Sequence, residues 1–153
     1  MNKLLFFFLL FYLHVANVYS DIIKPNTKIE PYNVVEIQLI SLKNNDEPDK
    51  DFGIEQTWEF AHPENKINTG PLNNFKKMLK NEIYSILLNH KDHKIEEIYN
   101  NKKIAIYDVI ILGSDNFYYE FKWQVERYDG KGSLNNCWLT TAVSNPVSLG
   151  ASI

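Results

Sequence analysis

Cysteine and arginine are each used once in these 153 residues, as Cys137 and Arg127. A lone cysteine cannot form an internal disulfide, so no covalent framework holds the fold and a hydrophobic core must do so. The single arginine, with a formal net charge of −3, makes the chain a poor electrostatic partner for a phosphate backbone, and nucleic acid is excluded as an expected ligand. No Asn-x-Ser/Thr triplet occurs, so N-glycosylation is not expected. Beyond residue 20 no run is apolar enough to span a bilayer, and no membrane contact is expected of the remainder.

The first twenty residues are different. Lys3 precedes an apolar run from Leu4 to Leu13, and the stretch closes on Val18-Tyr19-Ser20. A positive start, an apolar segment of about 7–15 residues and small residues before the cut are the marks of a secretory signal peptide. The strictly apolar part is short of the ~20 residues a spanning anchor needs. Residues 1–20 are therefore expected to be a signal peptide cleaved after Ser20, sending the protein to the secretory pathway. Removing these twenty from 153 leaves 133 residues, a single domain of ordinary size. Losing Lys3 takes the net charge from −3 to −4.

Periodicity divides this domain in two. Val34, Val35, Ile37, Leu39, Ile40 and Leu42 give the segment 31–42 a helical apolar face, and the polar run 43–51 ends it. A second short helix spans 52–60 and stops before His62-Pro63. Gly70-Pro71 opens a third, with Leu72, Phe75, Leu79, Ile83 and Ile86 on one stripe fading into 89–93. The period then falls to two. Strands are predicted over 94–99, 103–112, 117–126 and 137–143, separated by Gly113-Ser114-Asp115-Asn116 and Asp129-Gly130-Lys131-Gly132. The second strand is apolar on both faces, the pattern of a strand covered on both sides. Helices followed by a strand meander give an α+β fold: N-terminal helices packed on a curved, cone-like antiparallel sheet of about four strands. The domain is expected to run over 21–146, with 147–153 a short tail without periodicity.

The landmarks of these elements, taken in order, resemble an uncharacterised small-domain family of bacteria and eukaryotes. They are Gln38 with Leu39 and Leu42, Asn45-Asp46, Phe52-Gly53-Ile54, Phe60-Ala61 with Pro63 and Asn65, and Thr69-Gly70-Pro71-Leu72 with Phe75 and Met78. The strands add Trp123, Val125, Arg127, Asp129-Gly130, and Cys137-Trp138 with Thr140 and Val143. The resemblance implies a nuclear-transport-factor-like cone of the cystatin-like α+β superfamily, with no activity assigned. Three positions depart from the family pattern. His62 stands where a small residue is usual, Tyr128 where glutamine follows the arginine, and Thr141 where an acidic residue follows the threonine.

Chemistry is sparse. Cys137 would need a nearby base such as His62 to act as a nucleophile, yet it falls within an apolar strand, where burial is the simpler role. Asp108 interrupts an apolar strand and is the other candidate for acid–base work, with pairing to a lysine or Arg127 as the plain alternative. His90 and His93 flank Lys91-Asp92, but no third ligand lies near and the stretch reads as a solvated loop; no metal site and no cofactor are expected. Arg127 is in register with Trp123, so it either locks the sheet through an internal ion pair or by stacking on Trp138, or anchors an anion in the mouth of the cone. A concave sheet closed by helices is the usual shape of a small-ligand pocket. Tyr119, Trp123, Arg127 and Trp138 are its expected lining, with His62 or Thr140 at the rim. The expected function is a non-enzymatic module that binds a small molecule or a protein. The alternatives are an enzyme of the same cone using general acid–base chemistry, and a homodimer joined through the open sheet face.

Overall fold

A computed structural model describes residues 21–151. The signal peptide expected at residues 1–20, with its expected cleavage after Ser20, lies outside the described residues. Four helices precede an open antiparallel sheet, an α+β fold with the helices on one face. No helix among the described residues is long and apolar enough to cross a membrane.

Helix α1 (Pro31–Lys43) starts on a proline, whose missing N–H costs nothing in the first turn. Val34, Val35, Leu39 and Leu42 are fully buried, and Gln38 sits among them. Helix α2 (Phe52–Glu59) crosses α1 so closely that a Cβ on Gly53 would stand 2.1 Å from the Ser41 carbonyl oxygen. Helix α3 (Pro63–Thr69) has no counterpart in the sequence reading; His62 caps it, its Nδ1 accepting the Glu64 N–H at 3.2 Å. Helix α4 (Leu72–Leu79) is shorter than its apolar stripe predicts. Asn81 is the reason: its Oδ1 accepts the N–H groups of Ile83 and Tyr84, which ends the helix and leads to a 3-10 turn at Ser85–Leu87.

Strands β1 (Asp92–Asn100), β2 (Ile104–Leu112), β3 (Phe117–Arg127) and β4 (Trp138–Val143) form the expected meander. A fifth strand, β5 (Val147–Ala151), corrects both the strand count and the tail expected at 147–153. It pairs antiparallel with Phe117–Glu120 of β3, while β4 pairs with Trp123–Arg127 of the same strand. The two short strands thus share one side of β3.

Burial alternates along β2. Ala105, Tyr107, Val109 and Ile111 are fully buried, whereas Ile104, Ile106, Ile110 and Leu112 are only half-buried. The sheet is covered on one face, not two. The buried set joins Phe121, Trp123 and Val125 of β3, Trp138, and the apolar faces of α1, α2 and α4 in one core. The N-terminal segment is strapped to this body: Gln56 exchanges hydrogen bonds with the backbone N–H (2.7 Å) and C=O (2.8 Å) of Ile23.

Candidate functional site

The helices do not close fully on the sheet. Between them lies a cavity of about 260 Å³ whose wall comes from every helix and from β3 and β4. Leu42, Trp58, Phe75, Met78, Leu79 and Leu87 are among its apolar lining residues. Four polar residues at the wall are almost wholly buried: Gln38, Thr57, Trp123 and Thr140. Asn65, Thr69, Tyr84 and Thr141 are half-buried polar residues of the same wall and lie nearer solvent.

The buried four form a network. The Thr140 hydroxyl donates to Gln38 Oε1 at 2.6 Å, and the Trp123 indole N–H is shared between that oxygen (3.2 Å) and Thr140 Oγ1 (3.3 Å). Gln38 Nε2 donates to the Thr57 carbonyl at 3.1 Å, and the Thr57 hydroxyl donates to the Gly53 carbonyl at 2.8 Å. An indole N–H can only donate and a carbonyl can only accept, so the orientation of the Gln38 amide is fixed by its partners. Nearer the surface, Asn65 Nδ2 donates to the carbonyls of Thr140 (3.0 Å) and Thr141 (2.8 Å), tying α3 to β4. The β4 backbone is also bridged to the segment after α2: the Thr140 N–H donates to the Phe60 carbonyl and the His62 N–H to the Thr140 carbonyl.

Of the five lining residues expected from sequence, Trp123 and Thr140 reach this cavity, and Thr140 lies deep in it instead of at a rim. Tyr119, Arg127 and Trp138 do not line it. The Tyr119 hydroxyl donates to Asp115 Oδ2 at 2.6 Å in the turn before β3. Arg127 is exposed, with its guanidinium 5.2 Å from the Trp138 ring centre, so it stacks on the tryptophan and anchors nothing in the cavity. It is the last residue of β3, directly opposite Trp138 in the ladder, so the two side chains lie side by side at the end of the strand.

The acid–base candidates are not brought together. Asp108 falls between buried Tyr107 and Val109 and so faces the open side of the sheet, where Lys122 pairs with it at 2.7 Å. His62 caps α3 and meets Tyr128 edge to face, with ring centres 5.4 Å apart. Neither lines the cavity. Cys137 is fully buried ahead of β4, and burial pushes its thiol pKa up, away from the reactive thiolate.

His90 overturns its expected place in a solvated loop. It is 2 % exposed. Its Nδ1 bonds the Leu87 carbonyl at 2.7 Å and its Nε2 bonds His93 Nδ1 at 2.8 Å. Among the described residues no three acidic, histidine or cysteine side chains converge as a metal site.

No family model, curated protein or solved structure matches this chain. Gln38 is the site residue whose role the sequence reading missed. Its signal was there: a lone amide at a core position of α1, flanked by Val34, Val35, Leu39 and Leu42. Asn65 and Tyr84 carried no such signal, because α3 and the 3-10 turn that place them are set by tertiary contacts.

Proposed function

We propose that this protein is a non-enzymatic module of the secretory pathway that holds a small, mainly apolar molecule between its helices and its sheet. The cavity carries the reading. A cavity of about 150 Å³ lined by apolar side chains accommodates benzene, so on the same scale this one takes roughly ten non-hydrogen atoms. Apart from Tyr84, its lining side chains do not titrate, which favours binding over acid–base turnover. The proposed secretory address rests on the pattern of residues 1–20, and membership of the uncharacterised cone family on the order of the landmarks from Gln38 to Val143.

Native mass spectrometry of protein recovered without denaturation tests the binding reading. A retained adduct is expected, and Ala61→Leu, which fills the cavity from the turn after α2, should abolish it. A bare mass, together with no rise in Tm on adding millimolar neutral eight-carbon probes, would sink this function. A role in protein contact through the open sheet face would then be the better account.

A further inference from the structure

We infer that the occupant is an uncharged molecule of roughly ten non-hydrogen atoms with one polar head group, which accepts a hydrogen bond from the Gln38 side-chain amide. The inference rests on the cavity being a ligand site. Among the described residues no aspartate, glutamate, lysine, arginine or histidine lines it. The cations around it are engaged elsewhere. Lys66 lies over the Trp58 ring at 5.3 Å and donates to the Glu59 carbonyl, Lys76 and Lys80 hold Asp51, and Arg127 rests on Trp138. A carboxylate or ammonium entering the cavity would lose its hydration and meet no counter-charge, which is strongly unfavourable.

The head-group preference follows from the hydrogen atoms of the network. Gln38 has two amide hydrogens, and one goes to the Thr57 carbonyl. Its oxygen already accepts from both Thr140 and Trp123. What this 1 % exposed residue has left to offer is a donor. The Thr140 and Thr57 hydroxyls both spend their hydrogens inside the protein, so they present only lone pairs. An alcohol or a primary amide satisfies both demands, accepting from Gln38 and donating to a threonine oxygen.

The test titrates the purified protein with four probes sharing an eight-carbon chain: 1-octanol, octanamide, octanoate and octylamine. Binding is read by calorimetry at pH 7, and the Gln38 side-chain amide resonances are followed by NMR. Octanol and octanamide are expected to bind and to shift those resonances, while octanoate and octylammonium bind at least about tenfold more weakly. In Gln38→Met, of similar volume, octanol affinity should fall about tenfold. Octanoate or octylammonium binding as tightly as octanol overturns the neutral-ligand inference. Unmoved Gln38 amide resonances in the octanol-bound wild type overturn the head-group assignment whether or not the variant folds. Failure of all four probes instead removes the ligand-binding reading itself.

Discussion

Gly53 shows how far one side chain decides the position of a whole helix here. The α1–α2 contact brings its Cα against the Ser41 carbonyl, and an added methyl carbon would stand 2.1 Å from that oxygen and 2.9 Å from Asn45 Cα. Both neighbours are backbone, so neither can yield by changing rotamer. Gly53→Ala is expected to destabilise by about 1–3 kcal/mol, or more if α2 cannot shift, as overpacking does elsewhere. Urea unfolding would measure it, and an unchanged midpoint would mean that α2 moves freely on α1. Because α2 also carries Thr57 and Trp58 of the cavity wall, the same change should weaken binding of any occupant. At this scale the signal lies where a residue contradicts its surroundings, as Gln38 does in an apolar stripe, and the sequence reading passed over it. It left two readings open where a chemically rich residue had both a structural and a functional use. For Arg127 and Asp108 the structure selects the structural one, stacking on Trp138 and pairing with Lys122.

Between α4 and β1 the chain has little regular structure, and a histidine pair holds it in place. The Leu87 carbonyl can only accept, so His90 Nδ1 carries its hydrogen, its Nε2 is the acceptor, and His93 Nδ1 is the donor. Protonating His90 would set two N–H groups against each other unless His93 moves its hydrogen from Nδ1 to Nε2. Burial, foremost, lowers the His90 pKa from 6.5 to about 4, with the neighbouring His93 and Lys43 acting in the same direction and the Leu87 carbonyl and Asp92 opposing. His93 is lowered too, chiefly by burial and then by Lys43, against Asp92 and Glu36. The native state therefore prefers neutral His90. Its contribution is fully present above pH 6.5 and is lost as the pH falls from there towards 4. At 1.36 kcal/mol per unit this is on the order of 3 kcal/mol. Chemical unfolding at pH 7 and pH 4.5 should show the loss, and His90→Asn should reduce stability at pH 7 while flattening its pH dependence. A slope unchanged in that variant would assign the acid sensitivity to other groups. The consequence reaches the site, since Leu87 and Tyr84 line the cavity. Element boundaries in this stretch were hard to read because side-chain bonds from Asn81 and His90 set them, and apolar periodicity does not record such bonds. The bounds of β2 and β3 were read nearly to the residue; β3 alternates cleanly, the signature of one covered face, whereas the apolar residues on both sides of β2 concealed that its outer face is open.

At the scale of the molecule, the five residues from Val147 to Ala151 decide whether the sheet has a bare edge in its middle. They escaped the sequence reading because Asn145-Pro146 before them and Gly150 within them are both breakers of regular structure. Gly150 takes φ +107 beside the register shift at Tyr118 and Tyr119, a bulge that glycine accommodates without strain. Val147 and Leu149 stay more than half exposed, so β5 adds little to the core. Its contribution is to pair the Phe117–Glu120 half of β3, which β4 does not reach. A chain ending at Asn145 would leave that half with unpaired N–H and C=O groups flanked by Phe117 and Tyr118, an edge open to pairing with another chain. The truncated protein is expected to keep the cavity, because β5 contributes nothing to its wall. It should also self-associate in a concentration-dependent way by sedimentation velocity, under conditions where the full-length chain does not change. Leu149→Lys, which keeps the backbone pairing, should alter stability by less than about 0.5 kcal/mol. Self-association in the truncated chain but not in Leu149→Lys would assign the role of β5 to backbone pairing. The converse pattern would mean that its exposed side chains, not its hydrogen bonds, protect the edge.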